Sequence, residues 1–195
     1  MLTRRSNRSR NRRARLRRQQ RNRISQLQRL ENKCLLTVLF ADSFEDGQWN
    51  GQWVEDSQND WFDSSQRAVD GNRSAEVDGR ATDAGLTLAD PIDLSGYDCA
   101  ELTYSWFIEK KWDSGEYIAL DVQTAGNWQE VQTLQGNVDQ EDVWHHETMD
   151  LSGFLSNDFK IRFRANVSGG REDGNVATLQ RCDRRNQCGL DVPDQ

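Results

Sequence analysis

From Leu36 onward, apolar and polar residues alternate with a period of two. Leu102, Tyr104, Trp106 and Ile108 alternate with Thr103, Ser105, Phe107 and Glu109. Ile118, Leu120 and Val122 alternate with Tyr117, Ala119 and Asp121, and Phe159, Ile161, Phe163 and Ala165 with Lys160, Arg162, Arg164 and Asn166. Successive side chains of a strand point to opposite faces, so each run predicts a half-buried antiparallel strand with one face on a core. Shorter candidates are 37–41, 74–77, 86–88, 128–134 and 144–149. Turn-forming residues such as Asp70-Gly71-Asn72 and Ala125-Gly126-Asn127 punctuate the gaps. No segment of the body carries a sustained helical stripe. Many short strands at this spacing predict an all-β fold, an antiparallel two-sheet jelly-roll sandwich.

One pentapeptide is used twice. Asp93-Leu94-Ser95-Gly96-Tyr97 returns as Asp150-Leu151-Ser152-Gly153-Phe154, each time shortly before a strong strand. The separation is too long for a solenoid period. It reads as one strand-entry turn, with the leucine and the aromatic ring pinned to the core and Ser-Gly reversing the chain.

Charge divides the chain. The net charge is −7, yet residues 1–33 hold 13 of the 25 Lys and Arg and a single acid, Glu31. The remainder carries 12 basic and 31 acidic residues, a net −19. The basic stretch, built from Arg, Asn, Gln and Ser, lacks the apolar surface to fold alone and is expected to be disordered. Two functions suit it. It could bind phosphate backbones, or serve as the basic head of an export signal whose apolar run is Cys34 to Ala41. A body at −19 would repel the phosphates its own arm attracts, which favours export over nucleic acid. The expected organisation is a leader over 1–41, a sandwich over 42–180 and an irregular tail over 181–195. No apolar run approaches the roughly 18 residues a transmembrane helix needs. The cysteines, Cys34, Cys99, Cys182 and Cys188, match no zinc or redox spacing, and a local Cys182–Cys188 disulfide stays open beside two free thiols. The sequons at Asn72 and Asn166 matter only in a glycosylating secretory pathway.

Catalytic motifs are thin. His145-His146-Glu147-Thr148-Met149-Asp150 is comparable with the zincin H-E-x-x-H, but Asp150 stands where the second His belongs and the segment reads as a strand. These are the only two histidines, and no G-x-S-x-G elbow accompanies them. Glu76 and Asp78 share one face of a strand, roughly 6.5–7 Å apart, within the range of paired glycosidase carboxylates. The third acid that E-x-D glycosidases carry is missing after Asp78. The expectation is therefore a protein that is not an enzyme, with a degenerate jelly-roll glycoside hydrolase, or an accessory fragment of a secreted hydrolase or protease, as the alternative.

Two resemblances add to this. Arg29-Leu30-Glu31-Asn32-Lys33-Cys34-Leu35-Leu36 resembles the LEPR-type leader of exported bacterial proteins, with Lys33 in place of the family's Arg and Asn32 in place of Pro or Asp. Over roughly 42–179 the chain resembles MAM-like modules of the concanavalin/jelly-roll type. The residues that carry the likeness are Asp42-Ser43-Phe44-Glu45-Asp46-Gly47, then Trp49, Trp53 and Asp60-Trp61-Phe62-Asp63. They continue in order through Ser74-Ala75-Glu76-Val77, Pro91-Ile92-Asp93-Leu94, 102–106, 115–122, Trp128 and 159–163. The family closes on a strand with an Asp-Asp pair, whereas this chain has Asp173-Gly174-Asn175-Val176 and no pattern beyond Gln180. The likeness implies secretion or surface display and non-catalytic recognition of an extracellular protein or glycan, as a monomer or within a surface assembly. It also implies a structural calcium ion at the sandwich rim, held by Asp42 and Glu45 with Asp173, and with Asp78 as a bystander, against the reading that these acids form an exposed rim that keeps the domain soluble. Trp49, Trp53, Trp61 and Phe62 lie among amides, acids and glycines, where a sugar site wants rings to stack on. Trp49, Trp53 and Trp61 are the candidate ligand-binding residues, against the reading that most of these rings fill the core.

Overall fold

The computed structural model describes residues 36–184 except Gln48, Gly170 and Arg171, and for Leu36 and residues 178–184 only the backbone. The basic segment with its leader resemblance, and the Cys182–Cys188 pairing, lie outside the described residues. Eleven strands and one short 3-10 turn make up the fold: β1 (Leu36–Asp42), β2 (Trp53–Glu55), β3 (Trp61–Ser64), β4 (Ser74–Asp78), β5 (Ala81–Leu88), β6 (Cys99–Ile108), β7 (Tyr117–Thr124), β8 (Asn127–Gln135), β9 (Trp144–Asp150), β10 (Lys160–Val167) and β11 (Asp173–Arg184). They form two antiparallel sheets, ordered β3-β4-β11-β6-β9, with β1 also on β11, and β2-β5-β10-β7-β8. The expected all-β two-sheet sandwich is the architecture observed.

The alternation read from the sequence becomes the two inner faces. Leu102, Tyr104, Trp106 and Ile108 of β6 face Ile118, Leu120 and Val122 of β7 and Ile161, Phe163 and Ala165 of β10, all buried. Phe44, Trp53, Phe163, Tyr104 and Trp106 form a chain of ring contacts with centroids 5.2 to 6.2 Å apart across the sandwich. Tyr104 crosses the layer and donates its hydroxyl to Gln132 at 2.6 Å. The repeated pentapeptide makes the same turn twice. Asp93 accepts from the Ser95 amide and hydroxyl and Asp150 from those of Ser152, while Leu94 and Leu151 are fully buried.

Two boundaries differ from expectation. The strand candidate 37–41, also read as part of the leader's apolar run, is an edge strand on β11, so the sandwich begins before Asp42 rather than at it. The closing strand continues through Arg184 rather than stopping at 180, pairing with β4 over its first half and with β1 over its second. A register shift between Ala177 and Gln180 breaks the period of two there. Among the described residues no helix is long and apolar enough to cross a membrane.

Candidate functional site

The edge strands of the two sheets, β3 and β2, lie on one side of the sandwich, and the chain between β1 and β2 loops beside them. Asp42 starts this loop by accepting the Phe44 amide, which holds Phe44 at positive φ with its ring in the core. Asn50 and Gly51 then both take positive φ, 48° and 73°, and Gln52 donates its amide to the Trp49 carbonyl at 2.8 Å. This is the geometry of a type I′ turn, for which Asn-Gly is the preferred pair. Trp49, just before the turn, meets Phe44 edge-on and donates its indole N–H to Glu55 Oε1 at 2.6 Å.

The result is an open groove of about 630 Å³ lined by Gly47, Trp49, Asn50, Gly51, Glu55, Phe62 and Asp63. Phe62 is 41% exposed because β3 alternation turns it away from Trp61. Asp63 stays on the Trp61 side, 8% exposed at its side chain, with Oδ1 paired to Arg73. Asp63 Oδ2 and Glu55 Oε2 are buried and accept no hydrogen bond among the described residues. A buried acceptor left unmade costs about 1–3 kcal/mol, so two of them among the groove's lining residues are a polar deficit that a ligand relieves only where these side chains turn toward the opening. Its volume falls in the range of small-ligand sites, and rings and polar side chains are the residue types such sites use. A second cavity of about 370 Å³ is lined by Phe40, Leu88 and Ile92 together with the polar Gln52 and Asp90.

Of the three candidate ligand-binding tryptophans, the groove contains Trp49. Trp53 and Trp61 are 3% and 2% exposed, with their N–H groups bonded to Asp42 and to the Ala84 carbonyl. A ring sealed in the core cannot stack on a ligand at the surface, so these two are corrected to core residues. Glu55, Asp63 and Asn50 were not singled out from the sequence. An acid two residues after a buried tryptophan on a short edge strand was the available signal.

The four acids proposed for calcium do not converge. Asp42 is occupied by the Phe44 and Trp53 N–H groups; burial raises its pKa, only partly offset by those donors. Glu45 accepts the amides of Asn72 and Arg73 at 2.7 Å each, and those amides hold its pKa down. Its carboxylate lies over Gly71, where a Cβ would come within 2.4 Å of Oε1. Asp78 and Asp173 face each other across β4 and β11 at the other end of β4, roughly 13 Å along the strand. Burial, then the neighbouring Asp173, raises the Asp78 pKa, while Asp173 is bonded to Gln66 and Arg67. Each carboxylate is committed to local donors or another strand, so the set does not fit one ion. Among the described residues no group of three His, Cys, Asp or Glu is arranged to hold a metal.

The outer sheet faces are closed networks. On the first sheet, Glu76 is 2% exposed and accepts from Asn175, while Arg67 ties Glu109 to Asp173 above the Phe107 ring. Burial raises the Glu76 pKa, and a carboxyl so covered has no access to substrate. His146 bonds the Ser105 hydroxyl and His145 the Gln140 carbonyl, in strand geometry. On the second sheet, Arg162 covers the Trp128 ring at 4.5 Å and Arg164 the Tyr117 ring, and both converge on Asp121.

The chain was compared with known proteins. Neither a protein-family model nor a curated protein sequence matches it. Solved structures do match. The xylan-binding CBM22-1 domain of Xyn10C from Paenibacillus barcinonensis aligns with 78% of this chain and 98% of its own length, at 14% identity and a TM-score of 0.54. TmCBM61, solved with β-1,4-galactotriose, aligns over 71% of this chain and 92% of its own, at 14% identity and a TM-score of 0.51. The K2 cleaved adhesin domain of Lys-gingipain gives 73% and 98%, at 15% identity and a TM-score of 0.52. At such identities the likeness establishes the shared sandwich.

Proposed function

We propose that this protein is a non-catalytic glycan-recognition module acting outside the cytoplasm, and that the groove between β2 and β3 is its binding site. The observation that carries the reading is the pairing, in one open groove, of two partly free aromatic rings with two buried carboxylate oxygens that accept nothing among the described residues. A pyranose has an apolar face for a ring and hydroxyl donors at its edge, and Trp49 with Phe62 and Glu55 with Asp63 offer the complements. Three things support it: sandwich neighbours that bind xylan or galactotriose or belong to an adhesin, the resemblance to MAM-like modules, and the basic leader-like segment. Attachment of a secreted enzyme or of a cell to polysaccharide is the role this suits.

The test is calorimetric titration of the full chain with soluble oligosaccharides, repeated with W49A and F62A. Binding lost in both variants, with unchanged thermal unfolding, supports the site. Binding that survives both places recognition elsewhere.

A further inference from the structure

The groove's hydrogen-bonding deficit could be met by any hydroxyl, but its charge could not. Asp63 is neutralised by Arg73, whereas Glu55 belongs to none of the ion pairs among the described residues. Its Oε1 accepts the Trp49 indole N–H, and its Oε2 accepts nothing among the described residues. Two carboxylates thus share one guanidinium, on a body whose residues after Lys33 sum to −19. A neutral sugar would satisfy the orphan oxygens and leave Glu55 desolvated as an unpaired charge, which is costly. An ammonium group would do both tasks. It donates up to three hydrogen bonds and cancels the charge, and a cation beside Trp49 and Phe62 also gains from the ring faces.

Resting on the glycan reading above, we propose that the groove selects sugars bearing a free amine, with the ammonium between Glu55 and Asp63 and the pyranose against Trp49 and Phe62. Specificity then comes from charge compensation at Glu55, and the rings supply affinity common to all pyranoses. The negative field of the body steers such polycationic chains towards it.

The experiment titrates the full chain with β-1,4-linked glucosamine oligomers, their fully N-acetylated counterparts, and xylo- and galacto-oligosaccharides. The free-amine oligomer should bind at least about tenfold tighter than the acetylated one, a difference of about 1.4 kcal/mol. Raising the pH until the sugar amine is uncharged should abolish that preference. Glu55→Gln, which keeps the acceptor for Trp49, should remove the preference and leave residual binding; Asp63→Asn serves as a second variant if E55Q fails to fold. Equal affinity for the acetylated or neutral oligomers, lost in W49A, would overturn the amine specificity and leave the glycan site standing. Amine binding undiminished in both W49A and E55Q would place it on the general acidic surface and overturn the proposal. If no oligosaccharide binds, the glycan reading falls with it.

Discussion

Replacing Asp121 with Ala should unfold this sandwich more readily than any other single change on its outer faces. Asp121 lies on β7, 1% exposed, between two arginines of β10. Arg162 donates from Nε at 2.9 Å and Nη2 at 2.5 Å, and Arg164 from Nε at 2.7 Å and Nη2 at 3.1 Å. Removing one partner of a buried charge pair typically costs about 3–5 kcal/mol, chiefly through the charge left behind. Here the arginine side chains keep 27% and 19% of their exposure, and Arg164 retains Asp83 and Glu130. The lower bound therefore applies, about 3 kcal/mol. With a urea slope near 2 kcal/mol/M, the midpoint should fall by about 1.5 M. The pH dependence has a definite sign. Burial alone would raise the Asp121 pKa, but hydrogen bonds from Arg164 and Arg162 outweigh it and hold it below the ordinary aspartate value. The native state then binds this proton less readily than the unfolded chain. Its stabilisation is present above the unfolded-state pKa and lost as pH falls through the lowered native one. The gap between wild type and D121A should narrow in acid. A loss under about 0.5 kcal/mol, as for an exposed ion pair, or a gap that widens in acid, would refute the reasoning.

Three further outcomes follow from burial. Glu76→Gln should stabilise the protein at neutral pH by about 1 kcal/mol, the scale of a buried polar group's desolvation. Burial raises the Glu76 pKa, so its stabilising share is present at low pH and lost as pH rises through the raised value; denaturant titration across pH should show a shallower slope in the variant, and a destabilised E76Q would contradict this. Gly136→Ala should cost about 1–3 kcal/mol by overpacking, because a Cβ there would lie 2.6 Å from Trp112 Cβ and 2.7 Å from the Asp113 carbonyl oxygen; an unchanged melting temperature would show that this turn yields. Trp61→Ala should cost about 3–5 kcal/mol as a core truncation and orphan the Ala84 carbonyl that the indole N–H meets at 2.9 Å; intact stability with lost ligand binding would return this ring to the surface.

The sandwich was legible wherever a strand was long and its two environments differed, as in β6, β7 and β10. Strands β2 and β3 escaped notice because three or four residues are too few to show a period, and their role is to carry the groove rather than to widen a sheet. The far half of β11 is not legible, because its residues Gln180-Arg181-Cys182-Asp183-Arg184 carry no run of apolar side chains at a period of two and its register shifts between Ala177 and Gln180. The site was half visible. Trp49 was named with two neighbours of identical chemistry, and only the path of the loop decides which indole finds its acceptor inside the core. The calcium set failed for a related reason. Composition showed carboxylates in abundance, but Asp42 and Glu45 are used by nearby amides to shape the loop, and sequence does not reveal that local competition.

The most direct test of the account is amide and indole chemical-shift mapping of the full chain during titration with an oligosaccharide that binds. Perturbations are expected at the Trp49 indole, Gly47, Asn50, Gly51, Phe62 and Asp63, around the groove. Shifts concentrated instead on Tyr117, Trp128, Arg162 and Arg164 would place the ligand on the outer face of the second sheet and contradict it.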